Sequence, residues 1–149
     1  VANDNSIGQI VVSGNLDDLN KFSEELKKNK IKNIKLPVSA PFHCELMRSA
    51  TEKMREVIIK EEFKKPEINI ISNVTAQQTN DPNEIKNLLI EQIERPVRWR
   101  EIVINMIDSK VEKFIEIGPG KVLSGLVKRI NSNVKLIQVN NLEDLNNLI

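Results

Sequence analysis

Tyrosine is absent, and the aromatic complement is four phenylalanines and one tryptophan, 3% of the 149 residues. So small a set leaves little to stack on bases. A net charge of +1, from 22 basic and 21 acidic side chains, lacks the cationic excess of a nucleic-acid binder. The single cysteine excludes an internal disulfide and any multi-cysteine metal centre. With only one histidine beside it, a zinc site would need mostly carboxylate ligands, so no metal is expected. No apolar run approaches the roughly 18 residues of a membrane-spanning helix, and no signal peptide is recognisable. No membrane partner is therefore expected, and a reducing cytoplasmic compartment is the default.

What is present suffices for a core: 40% of the residues are hydrophobic. Gln9 to Gly14 reads as a strand, and Asn15 as the N-cap of a helix carrying Leu16, Leu19, Phe22 and Leu26 at helical spacing. That helix ends in Lys27-Lys28-Asn29-Lys30, with cations near its C-terminus. Residues 31–36 read as a second strand and 45–60 as an amphipathic helix. From Pro66 onward strands and helices alternate. Strands are expected at 68–71, 114–117 and 134–139. Helices are expected from Asp81-Pro82 to about 94, over 97–107, from Gly120 to about 130, and over 142–149. The alternation implies an α/β fold with a mainly parallel sheet over 66–149.

The one histidine, His43, lies in the most unusual stretch, Leu36-Pro-Val-Ser-Ala-Pro-Phe-His-Cys-Glu-Leu-Met47. Pro41 has no N–H and biases Ala40 toward an extended backbone, so the strap before the imidazole is stiff and non-helical. An imidazole where such a strap meets a helix can project into a cleft, although a satisfied structural histidine is the alternative. Gln92 is the second informative position. It falls on the apolar stripe of Ile85, Leu88 and Leu89, and Pro96 four residues later cannot donate a helical hydrogen bond to its carbonyl. That carbonyl is left free to accept from another group. Gly118-Pro-Gly120 is a glycine turn between strand and helix. It is neither GxGxxG nor a P-loop, so it carries no nucleotide-binding expectation.

Five blocks, in order and at matching spacing, resemble the malonyl-CoA:acyl carrier protein transacylase family. They are Ala2-Asn-Asp-Asn-Ser-Ile-Gly-Gln-Ile-Val-Val-Ser-Gly14, Pro37-Val-Ser-Ala-Pro-Phe-His-Cys44, Ser72-Asn-Val-Thr75, Gln92-Ile-Glu-Arg-Pro-Val-Arg-Trp99 and Glu116-Ile-Gly-Pro-Gly-Lys-Val-Leu123. The resemblance implies transfer of malonyl from coenzyme A to the phosphopantetheine thiol of acyl carrier protein in fatty acid biosynthesis, through a Ser–His dyad and without a cofactor. His43 matches the catalytic histidine. Gln92 matches the position whose main-chain carbonyl accepts from the imidazole. Phe42 matches a bulky residue that favours malonyl over branched acyl groups, and Asn5 a polar position near the acyl pocket. The Gly118–Gly120 turn would lie near the site.

The departure is the nucleophile. The family carries its serine in a G-H-S-x-G elbow, and no serine here has glycine both two residues before and two after it. The match is to the C-terminal half of the family's chain. It implies part of a ferredoxin-like small subdomain over 1–36 and part of the large α/β acyltransferase subdomain over 37–149. Halves of a fold leave sheet edges open, which favours self-association or pairing with the N-terminal half. The isolated chain is expected to be inactive. Two rival readings are an acyltransferase domain of a polyketide synthase and a non-catalytic fragment that binds carrier protein.

Overall fold

The structure is a computed structural model that describes residues 1–148. Strands β1 (Asn3–Ser6) and β2 (Gln9–Val11) form an antiparallel hairpin. Helix α1 (Leu16–Lys28) follows, with the Asn15 side chain accepting from the Asp17 N–H as its N-cap. The strap then leads through a short 3-10 turn, Glu45–Met47, into α2 (Arg48–Ile58). Strands β3 (Ile70–Ile71) and β4 (Gln78–Thr79) make a second antiparallel pair around the Ser72–Gln77 turn. Helix α3 (Pro82–Glu91) starts on an Asp81 cap that accepts from Asn83 and Glu84. Then come α4 (Trp99–Asp108), β5 (Lys113–Ile117), α5 (Val122–Ile130), β6 (Lys135–Val139) and α6 (Leu142–Asn146).

The α/β class expected from the alternation is what the chain adopts, with the parallel part carried by β5 and β6, paired in register from Lys113–Lys135 to Ile117–Val139. The strand expected at 68–71 shortens to Ile70–Ile71 and pairs antiparallel with β4, because the Ser72–Gln77 turn returns the chain directly beside it. Residues 31–36 form no strand. They have no ladder partner, and Asn33 is instead tied to Ser23 of α1, with Ser23 Oγ donating to Asn33 Oδ1 at 2.6 Å. The helix expected over 142–149 ends at Asn146, and its last residue, Ile149, lies outside the described residues.

The core gathers where β1 packs on α4 and α5, around Ala2, Ile102, Val103, Leu126 and Val127. Residues 2–4 add a backbone connection to residue 97. Asp4 N–H donates to Val97 O at 2.9 Å, and Val97 N–H to Ala2 O at 2.8 Å. Asp4 also holds Arg100 of α4 through a two-toothed ion pair, its closest contact at 2.7 Å. The hydrogen bond and then the charge of Asp4 raise the guanidinium's pKa. A large apolar surface stays open. The accessible area is 11149 Å², against about 7,700 Å² expected for a compact monomer of this mass. Ile7, Ile68, Ile117 and Leu142 are each more than three-quarters exposed.

Candidate functional site

The strap places His43 through α2, which packs on α3, the helix that ends at Gln92. Three polar ties add to that packing. Lys86 of α3 donates to the carbonyls of Ile59 and Glu61 at 3.3 and 2.7 Å, just past the end of α2. Its ammonium also stands 5.3 Å from the centre of the Phe63 ring. Arg48 at the start of α2 faces Glu94 at 3.7 Å.

His43 itself has φ of +61°, a left-handed backbone that costs a non-glycine residue about 1–2 kcal/mol. The neighbouring chain fixes that conformation. Pro41 stiffens the approach, and Cys44 Sγ closes the bend by donating to Pro41 O at 3.1 Å. An energetically unfavourable backbone held in place by its surroundings is a mark of sites where side-chain direction matters.

From there the half-buried imidazole reaches α3, and Nδ1 lies 2.9 Å from the main-chain oxygen of Gln92. A carbonyl only accepts, so the bond requires the proton on Nδ1. The neutral ring then keeps a lone pair on Nε2. Gln92 is the C-cap of α3: its own N–H donates to Leu88 O at 3.0 Å, while Pro96 offers its carbonyl no donor. The free carbonyl expected from the sequence is the one His43 uses.

Two further residues complete the support, and both were within blocks already singled out without a role. Asn73 Nδ2 donates to Gln92 Oε1 at 3.2 Å. Arg98 donates through Nη1 to the carbonyls of Val74 and Thr75, each at 3.1 Å, and pairs with Glu101 at 2.6 and 2.7 Å. Asn73 and Gln92 also line a small cavity of about 80 Å³ together with Ile71, Leu88 and Leu89.

The other expected residues are placed as follows. Phe42 is 48% exposed beside His43, free to face a bound group. Asn5 occupies the irregularity in β1, between the Asp4–Ile10 and Ser6–Gln9 pairs. Such a bulge re-aims side chains. Among the described residues, neither Phe42 nor Asn5 hydrogen-bonds to the His43–Gln92 pair. Gly118 and Gly120 have φ of +135° and +95°, which only glycine adopts readily. Glu116, just before that turn, accepts from Leu123 and Ser124 N–H at 3.0 and 2.7 Å and caps α5. Desolvation pulls its pKa upward, but hydrogen bonds from Ser124, Leu123 and Val122 outweigh it, and the net shift is downward. Among the described residues no cluster of three or more metal-ligating side chains occurs, and no helix is long and apolar enough to cross a membrane.

A profile of the acyl transferase domain matches residues 1–142. The malonyl CoA-acyl carrier protein transacylase of Bacillus subtilis strain 168 is 46% identical over 146 residues, covering 97% of this chain and 46% of that protein. The crystal structure of a malonyl CoA-acyl carrier protein transacylase from Clostridium perfringens is 44% identical with a TM-score of 0.92, over 99% of this chain and 46% of that one. A malonyl-transacylase in complex with its type II polyketide synthase acyl carrier protein is 34% identical with a TM-score of 0.90, over 97% and 47% of the two chains. The chain thus spans about half the length of the relatives it matches.

Proposed function

The chain belongs to the acyl transferase domain family, and on that premise we propose that it supplies the general base of a malonyl transferase acting between coenzyme A and acyl carrier protein. The observation that carries the reading is the 2.9 Å contact from His43 Nδ1 to Gln92 O. It puts the ring proton on Nδ1 and so leaves the lone pair of Nε2 to accept another. A serine hydroxyl would lose its proton to Nε2 as its oxygen attacks the malonyl thioester carbonyl. The tetrahedral intermediate would then expel the coenzyme A thiolate, which takes that proton from Nε2. The malonyl ester left on serine is attacked in turn by the phosphopantetheine thiol. Its proton goes to Nε2 and returns to the serine oxygen as the ester breaks. Gln92 O stabilises the imidazolium formed in both halves. No metal or cofactor is needed in this scheme.

In this reading the serine comes from a G-H-S-x-G segment outside residues 1–149, and Phe42 and Asn5 border the acyl group. Residues 1–36 belong to the small subdomain and 37–149 to the large one. The enzyme works in the cytoplasm on soluble thioesters for fatty acid synthesis. A second reading is supply of malonyl to a polyketide synthase, favoured by the likeness to the malonyl-transacylase bound to its polyketide carrier.

The test is mass spectrometry of the full-length protein given malonyl-CoA without acceptor. A malonyl ester on the elbow serine should accumulate and should fail to form in His43→Ala. Ester formation at the same rate in that variant would refute the base.

A further inference from the structure

Asn73 stands in the turn between β3 and β4, and its side chain crosses to α3 to meet Gln92 Oε1 at 3.2 Å. The turn does not depend on that side chain for its shape. Arg98 N–H donates to Asn73 O at 3.1 Å, and Asn105 Nδ2 donates to Ala76 O at 2.9 Å. Arg98 Nη1 holds the next two carbonyls, and Ser72 Oγ accepts from Val74 N–H at 3.1 Å. Arg98 is in turn fixed by Glu101 through two contacts. The Asn73 amide is therefore presented from a turn whose main-chain groups are held by Arg98, Asn105 and Ser72 rather than by the amide itself.

The opposite partner is poorly held by its own helix. Gln92 is the C-cap of α3, and Pro96 denies its carbonyl a ladder partner. Carbonyls at a helix C-terminus tilt and fray unless something satisfies them. Here the side chain of the same residue is itself tied, through Oε1, to Asn73.

We propose that Asn73 is a positioning residue for His43, acting through Gln92. Its bond to the Gln92 amide holds the carbonyl where Nδ1–H can reach it, and so keeps the proton on Nδ1 and the lone pair on Nε2. The catalytic consequence rests on His43 being the base; the geometric one does not.

The experiment is long-range proton–nitrogen NMR of the full-length protein labelled with ¹⁵N-histidine, with the His43 ring assigned by its loss in His43→Gln. Native protein should show predominantly the Nδ1–H tautomer. Asn73→Ala should move the ratio toward Nε2–H by about fivefold, the scale of one net hydrogen bond. Gln92→Met, which keeps the carbonyl but loses the amide, should do the same, and the double variant no more than either. An unchanged ratio in Asn73→Ala overturns the proposal. So does an Asn73→Ala effect that persists undiminished in the Gln92→Met background. If Asn73→Ala fails to fold, Gln92→Met decides alone: an unchanged ratio there removes the bond from any positioning role. In turnover assays Asn73→Ala should lower kcat about three- to tenfold with KM for malonyl-CoA unaltered. Full activity in His43→Ala would defeat the proposed base while leaving the tautomer result standing, so the two failures are separable.

Discussion

His43 Nδ1 and the main-chain oxygen of Gln92, 49 residues apart in the chain, lie 2.9 Å from each other. One is on a strained strap and the other at a helix end that proline keeps open. Neither feature has an obvious use alone. Together they set which ring nitrogen holds the proton.

If that is the purpose of the pair, His43→Ala in the full-length enzyme should reduce malonyl transfer by at least about 10²–10⁴-fold, the range of general-base contributions. The unfolding transition should hardly move, since the ring is only half buried and its strap is held by Pro41 and Cys44. Parallel measurement of turnover and thermal unfolding checks this. Lost stability with unchanged activity per folded molecule would make the histidine structural.

Gln92→Ala keeps the carbonyl and removes the amide. Its loss in kcat should stay within about tenfold, far smaller than that of the histidine variant, because positioning through the side chain is worth about one hydrogen bond. A loss as deep as that of His43→Ala would make the amide, not the carbonyl, the orienting group.

Much of this was legible locally. Asn15 and Asp81 are caps whose side chains do what their chemistry predicts, and Pro96 signals the open carbonyl of Gln92. The rest depends on partners distant in sequence. Strands β1 and β4, Asn-Asp-Asn-Ser and Gln-Thr, carry no apolar alternation; pairing with β2 and β3 defines them. Residues 31–36 carry Ile31, Ile34 and Leu36 but have no strand to pair with. The Asn73–Gln92 bond arises from tertiary packing, which periodicity does not encode.

The 149-residue chain alone should not transfer malonyl. Without an activated serine the expected loss is on the order of 10⁶ in turnover, and the open surface around Ile117 and Ile68 leaves apolar groups in water. Incubation with malonyl-CoA followed by mass spectrometry should show no acyl-enzyme. A stable adduct would refute the requirement for an outside nucleophile.

Glu116 predicts a pH dependence of stability. Its pKa is lowered on folding, so the ionised carboxylate binds the α5 N–H groups more strongly than the protonated form does. Its contribution is therefore present above the unfolded-state pKa and is lost as pH falls through the lower folded value. Glu116→Gln should weaken the cap by about 0.5–1 kcal/mol near neutrality. The difference from native protein should shrink in acid. Thermal unfolding across pH 7 to 3 measures it, and a constant difference over that range would mean the charge plays no part.

Acyl carrier proteins are acidic in the family this chain resembles, and a docking surface for one must be basic. Lys27, Lys28, Lys30, Lys32 and Lys35 are all exposed, running from the end of α1 toward the His43 strap. Lysines at a helix C-terminus are also what the helix dipole alone would favour, so their presence does not by itself establish docking. The two roles differ in what they do to rates. Exposed charges steer encounter more than they hold a complex, and salt screens them over about 8 Å at physiological ionic strength. Reversal of Lys27, Lys28 and Lys30 to Glu in the full-length enzyme should therefore lower kcat/KM for carrier protein by about tenfold at low salt. The deficit should fade as salt is added. Transfer to a small pantetheine thiol, which carries no acidic surface, should be unaffected. Equal losses with both acceptors, or none with either, would remove this patch from the mechanism.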